Sequence, residues 1–138
     1  MKTSEKLGKA LISAAAAEEE KSQAVQELLD LGVDPNFATK YYKYTALMKA
    51  SRRGHKNIVR ILLEAGANPN LAGDGGVTAL IFASANCYTD IMSMLLEAGA
   101  DPNLADDDGT TPLDVASYVG NVGCVDILKI LKAEAAFT

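Results

Sequence analysis

Tryptophan is missing from the 138 residues, there is a single histidine, and only two cysteines and four prolines are present. Each scarcity excludes a class of chemistry. His55 alone cannot make a two-histidine metal site, and serine or threonine nucleophiles without a second histidine lack an obvious base. Cys87 and Cys124 have neither the framework of a disulfide scaffold nor metal-ligand spacing, and neither belongs to a catalytic cysteine signature. They are expected to be buried or half-buried structural thiols in a reducing compartment. No apolar run approaches the ~20 residues that span a bilayer. The lysine-rich start before Ala10 to Ala17 has the outline of a short signal peptide. That stretch is alanine-rich, however, and Leu11 and Ala14 fall into the repeat register described next. A soluble, intracellular protein, cytoplasmic or nuclear, is the expectation.

What the chain does have is a period. Thr45-Ala46-Leu47-Met48-Lys49-Ala50-Ser51 recurs as Thr78-Ala79-Leu80-Ile81-Phe82-Ala83-Ser84 and as Thr111-Pro112-Leu113-Asp114-Val115-Ala116-Ser117, at a constant spacing of 33 residues. A second apolar block and a glycine turn follow the first two copies: Ile58-Val59, Leu62-Leu63, Gly66-Ala67-Asn68-Pro69-Asn70, then Ile91-Met92, Leu95-Leu96, Gly99-Ala100-Asp101-Pro102-Asn103. A fixed period of this size means stacked repeats, each burying its apolar face against its neighbours. Thr45 reads as a helix N-cap, Pro112 and Asp114 suit a helix start, and Gly32 followed by Pro35 suits a helix end. The Ala50-Ser51, Ala83-Ser84 and Ala116-Ser117 pairs supply small side chains where helices approach closely. From Leu11 to Leu28 the spacing is 17, against 15 from Leu47 to Leu62, so the first repeat has the longer inner loop, as suits a terminal repeat.

The period, the Thr-(Pro/Ala)-Leu-x-x-Ala motif, Gly54-His55 and Gly-Ala-(Asp/Asn)-Pro-Asn together resemble the ankyrin repeat. The likeness covers roughly Leu7 to Leu131. It departs at Ala46 and Ala79, where the signature has proline, and at Met48, Ile81 and Asp114, where it has histidine. The resemblance implies an all-α solenoid of four helix-turn-helix repeats joined by β-turn fingers, at about 7–39, 40–72, 73–105 and 106–131, in one domain spanning 1–138. It also makes His55 the structural turn histidine. Leu7-Gly8-Lys9-Ala10-Leu11 is similar to the N-terminal cap of designed ankyrin libraries, so a selected binder is one alternative origin; Met48, Cys87, Met92 and Gly123 look natural instead.

Two local motifs fail on inspection. Gly73 to Gly76 does not continue as Gly-x-Gly-x-x-Gly, because Thr78 stands where glycine is needed, and no Gly-Lys-Ser/Thr follows. Taking Gly109 as the sixth residue of a calcium loop puts Leu104 first and Val115 twelfth, neither of them a ligand. An enzyme is therefore not expected, nor a cofactor or metal.

Charge is distributed unevenly. Between Pro35 and Leu63 stand Lys40, Lys43, Lys49, Arg52, Arg53, Lys56 and Arg60 with no acid; from Ile61 to Leu128 there are ten acids and no lysine or arginine. Three of the five tyrosines, Tyr41, Tyr42 and Tyr44, crowd into the second finger. Tyrosine with arginine is the composition of interface hot spots. The resemblance implies that fingers and first helices bind proteins on a concave face. The expected function is a non-catalytic scaffold for a protein or peptide partner, with an acidic or phosphorylated segment favoured. Its site would comprise Tyr41, Tyr42, Tyr44, Arg52 and Arg53, extended by Met48, Val77, Ile81, Ala85 and Asn86. A nucleic-acid module using the basic aromatic patch is the alternative, opposed by the net charge of −5. A monomer is expected, with weak head-to-tail contact between basic and acidic repeats conceivable at low salt.

Overall fold

The structure, a computed structural model, describes residues 2–120 and 122–136, with side chains described as far as residue 129. Eight α-helices are present among them: α1 (Thr3–Ala16), α2 (Ser22–Asp30), α3 (Ala46–Arg53), α4 (Lys56–Glu64), α5 (Ala79–Ala85), α6 (Thr89–Glu97), α7 (Pro112–Val119) and α8 (Val122–Ala136). α1 begins at Thr3, ahead of Leu7, where the likeness to the repeat begins. The described residues contain no β-strand, only an isolated bridge between Ala72 and Thr78 at the base of a finger.

The recurrent threonine is the device that starts three of these helices. Thr45, Thr78 and Thr111 have extended backbones, and each Oγ1 accepts from the amide three residues on, at 3.2, 3.3 and 3.1 Å. At Thr111 the cap is reciprocal, because Asp114 Oδ2 accepts from the Thr111 amide at 3.1 Å. The recurrent glycine ends the second helices. Gly32, Gly66 and Gly99 have φ of 90°, 92° and 98°. In each turn the next residue's amide returns to a carbonyl five back, as Ala67 N does to Leu62 O at 3.0 Å.

Packing follows the period. α1, α3, α5 and α7 contact in sequence to make one layer, and α2, α4, α6 and α8 make the other. Between them lies a continuous core in which Leu11, Leu47, Leu80, Ile58, Leu62, Ile91 and Leu95 are at most 2% exposed. Ala50, Ala83 and Ala116 are fully buried, as their small size at the helix contacts requires. The Gly-Ala-Asn/Asp-Pro-Asn turns form a side-chain ladder along one edge. Asn36 Oδ1 accepts from Asn68 N, and Asn70 Oδ1 from Asp101 N, both at 2.7 Å. His55 is buried, and its Nε2 meets the Ala17 carbonyl at 2.6 Å; a carbonyl can only accept, so this nitrogen carries the proton. The ring thereby ties the second repeat to the first.

The cysteines overturn the expectation of two free thiols. Cys87 and Cys124 form a disulfide, S–S 2.20 Å, joining the α5–α6 turn to α8. Cys87 sits at the turn position that Gly54 and Gly120 hold in neighbouring repeats and, like them, has a positive φ, here 54°. Cys124 takes the core position of Ile58 and Ile91. With the thiols goes the compositional argument for a reducing compartment.

Candidate protein-binding face

Each finger is a short turn closed by a backbone bond: Thr39 N to Tyr44 O at 3.0 Å, Gly73 N to Val77 O at 3.0 Å and Asp106 N to Thr110 O at 2.9 Å. The fingers are also bonded to one another. Asp74 N donates to Tyr42 O at 2.7 Å, and Asp107 N to Gly75 O at 2.9 Å. Side chains on successive fingers are therefore held on one row, next to the exposed positions of α3, α5 and α7.

In the second finger Tyr41 is 82% exposed and Tyr42 59%, far more than aromatic rings kept for packing. Tyr42 stacks on Tyr44 with ring centroids 5.8 Å apart, and Tyr44 meets Phe82 edge-on at 6.2 Å. The Lys49 ammonium lies 4.1 Å from the Tyr44 centroid, and that of Lys40 lies 5.9 Å from the Tyr41 centroid. Both are cation–π contacts. Arg52 and Arg53 are exposed at the end of α3. Burial lowers the Lys49 pKa, and the like charges of Arg52 and Arg53 lower it further. The corner is thus a cluster of three cations beside a tyrosine stack. Among the described residues none of these cations has a carboxylate partner; the ion pairs are Lys9 to Glu5 and Lys56 to Asp90.

The structure divides the remaining expected site residues. Ala85 and Asn86 are exposed, and the Asn86 amide donates to the Arg52 carbonyl at 3.4 Å. Val77 is half-buried. Met48 and Ile81 are 1% and 5% exposed, so they lie beneath the face and offer a partner no surface. The reason for Met48 is local. Gly73 is packed so tightly over it that an added Cβ would stand 3.2 Å from the Met48 sulfur and 2.9 Å from the Tyr44 ring. Lys49 and Phe82, absent from the expected set, are half-buried parts of the aromatic cluster. The period could have found both, since they share one repeat position.

Other features are accounted for elsewhere. Asp106 spends its Oδ1 on the amides of Asp108 and Thr110, each at 2.9 Å, which holds the acidic finger's turn. No group of three or more potential ligands is placed to hold a metal among the described residues. A cleft of about 870 Å³ between α1 and the loop after α2 shares only Lys40 with this face. No helix among the described residues is long and apolar enough to cross a membrane.

The family described as ankyrin repeats (3 copies) matches residues 11–106 and, overlapping them, 76–136. The chain belongs to the ankyrin repeat family. A curated ankyrin repeat protein of Acanthamoeba polyphaga mimivirus is 45% identical over 53 residues, a match that takes in 38% of this chain and 32% of that relative. Ankyrin repeats are generally protein-interaction modules without catalytic activity, and the all-α repeat solenoid seen here agrees with that family.

Proposed function

We propose that the chain is a four-repeat ankyrin scaffold, one domain over 1–138, that binds a partner protein or peptide on the finger and first-helix face of repeats two and three. The observation that carries this reading is the second finger. Exposed Tyr41 and Tyr42, the latter stacked on half-buried Tyr44, stand beside three cations that have no carboxylate partner among the described residues. Tyrosine supplies broad contact area at low conformational cost, and arginine pairs bidentately with carboxylate or phosphate. An acidic or phosphorylated segment is the favoured partner chemistry.

The test is capture of partners by the wild-type chain and by Tyr42→Ala and Arg53→Ala, with melting measured in parallel. Each variant should weaken a partner by ~2 kcal/mol or more, as interface hot spots do, and leave melting nearly unchanged. Variants that melt early and bind normally would make the cluster part of the scaffold. Single-stranded and duplex DNA in the same assay, with a salt titration, should show no comparable affinity; if either does, the nucleic-acid reading replaces this one.

A further inference from the structure

The exposed helix positions obey the same period as the core. Arg52, Ala85 and Tyr118 occupy one repeat position, and Arg53, Asn86 and Val119 the next. All six are exposed. They make two parallel rows along α3, α5 and α7, and the rows change character from end to end. At α3 the rows are cationic. At α5 they are low and neutral, with the methyl of Ala85 beside an Asn86 amide already engaged by the Arg52 and Phe82 carbonyls. At α7 they are apolar: Tyr118 is 96% exposed and Val119 53%. Among the described residues no further repeat packs on α7, but that alone does not leave Tyr118 bare. Ala85 is exposed at the same position of an internal repeat, so exposure belongs to the position. A tyrosine there contributes almost nothing to the core.

Resting on the reading of this face as a partner surface, we propose that it reads a peptide segment of the partner in one direction. An anionic side chain sits against Arg52 and Arg53, small residues pass over Ala85, and an apolar side chain packs on Tyr118 and Val119. Packed helices lie ~8–10 Å apart, so the two ends of the rows are ~16–20 Å apart. An extended chain rising ~3.3 Å per residue covers that distance in about five or six residues. Reversal is penalised at both ends. It would bury an anion without a partner on the Tyr118 surface and cover arginines with apolar side chains, and such mismatches are how interfaces reject wrong partners. The cations are already crowded: burial first, and then the like charges of Arg52 and Arg53, lower the Lys49 pKa, and an incoming anion relieves that repulsion.

The experiment is selection of twelve-residue peptides from a random display library on the full chain. The best peptide is then remade with glutamate or phosphoserine at its anionic position and with its sequence reversed. The expected winners carry an acidic and an apolar residue in one order, five or six positions apart. Reversal should cost at least tenfold in Kd. The glutamate and phosphoserine versions distinguish which anion is preferred. Selection on Arg52→Ala/Arg53→Ala should lose the acidic preference alone, and selection on Tyr118→Ser the apolar preference alone. No enriched peptide, winners without fixed order and spacing, or a Tyr118→Ser chain that selects the wild-type set would each overturn the proposal. If Tyr118→Ser changes nothing while Arg53→Ala still loses its captured partner, the directional reading fails and the partner surface of repeats two and three stands.

Discussion

Glu20 lies in the loop between α1 and α2, yet it works on the next repeat. α4 has no side-chain cap of its own, since His55 occupies the N-cap position and its ring is turned to Ala17. Glu20 supplies what is missing: its Oε1 accepts from the amides of Asn57 at 2.9 Å and Ile58 at 3.3 Å, and its Oε2 from the Asn57 side chain at 3.4 Å. Those amides are the second and third of the helix, the donors a cap ordinarily satisfies. Losing a cap costs about 1 kcal/mol, and losing a negative charge at a helix N-terminus about 0.5 kcal/mol more. Glu20→Ala should therefore destabilise by about 1.5 kcal/mol. With an unfolding entropy of ~2.1 cal/mol/K per residue, that loss lowers Tm by about 5 °C for a chain of this length. Glu20→Gln keeps an acceptor and loses the charge, so it should fall by about a third as much, and added salt should shrink its deficit. Thermal melts followed by circular dichroism, with Glu97→Ala as an exposed control, decide the matter. If Glu20→Ala melts with the control, the contact across the repeats is not a cap.

Leu62→Ala and Leu95→Ala, both at fully buried positions, should each cost ~2–5 kcal/mol in denaturant titration, against less than about 0.5 kcal/mol for Glu97→Ala. Ser51 and Ser84 are a matched pair, both fully buried at one repeat position. Ser84 Oγ donates to Leu80 O at 2.7 Å, whereas Ser51 Oγ has no hydrogen-bond partner among the described residues. Ser84→Ala should lower stability by about 1 kcal/mol and Ser51→Ala should leave it unchanged or raise it. Reducing the disulfide reopens a loop whose ends are 37 residues apart in sequence. Chain entropy sets the loss at up to about 4 kcal/mol, and differential scanning calorimetry with and without reductant should show an earlier transition. A Lys49 pKa below its usual value means that its protonated form is less favoured in the folded chain than in the unfolded one. The penalty is therefore present below the lowered pKa and is relieved as pH rises from there toward the unfolded value. An anionic peptide bound at Arg52 and Arg53 should move the Lys49 amine titration, followed by NMR, back upward.

The core was legible because burial at Leu47, Leu80, Ala50, Ala83, Leu62 and Leu95 demands the same residue in every repeat. The caps were legible for the same reason, as Thr45, Thr78 and Thr111 each answer the same unsatisfied amides. The misses are contacts between repeats, which a comparison of like with like cannot show. The extra residues before Leu28 look like the slack of a terminal repeat; in the folded chain that longer loop carries Glu20 to the start of α4. Cys87 and Cys124 look unrelated because one replaces a turn glycine and the other a core isoleucine. At this junction the turn of one repeat abuts the second helix of the next, so the two positions meet. Only here do both carry sulfur.

Within the candidate face the same logic runs in reverse. Buried positions repeat because packing tolerates few choices, so a position that fails to repeat has been released from packing. Arg52, Ala85 and Tyr118 are such a series, and Arg53, Asn86 and Val119 another. Composition pointed to Tyr41, Tyr42, Arg52 and Arg53, since aromatic and basic residues cluster there in sequence. It could not point to Tyr118, which stands in a stretch without lysine or arginine and joins the arginines only through the stacking of α3, α5 and α7. Met48 and Ile81 err in the opposite direction. They vary in type, Met, Ile and then Asp114, yet the first two are buried, Met48 beneath Gly73 of the following finger, and only the last is exposed. Variation marks a free surface, then, only where exposure accompanies it in an internal repeat. Ala85 and Asn86 meet that condition and Ile81 does not, which is the reason for drawing the partner face through the first two and leaving the third beneath it.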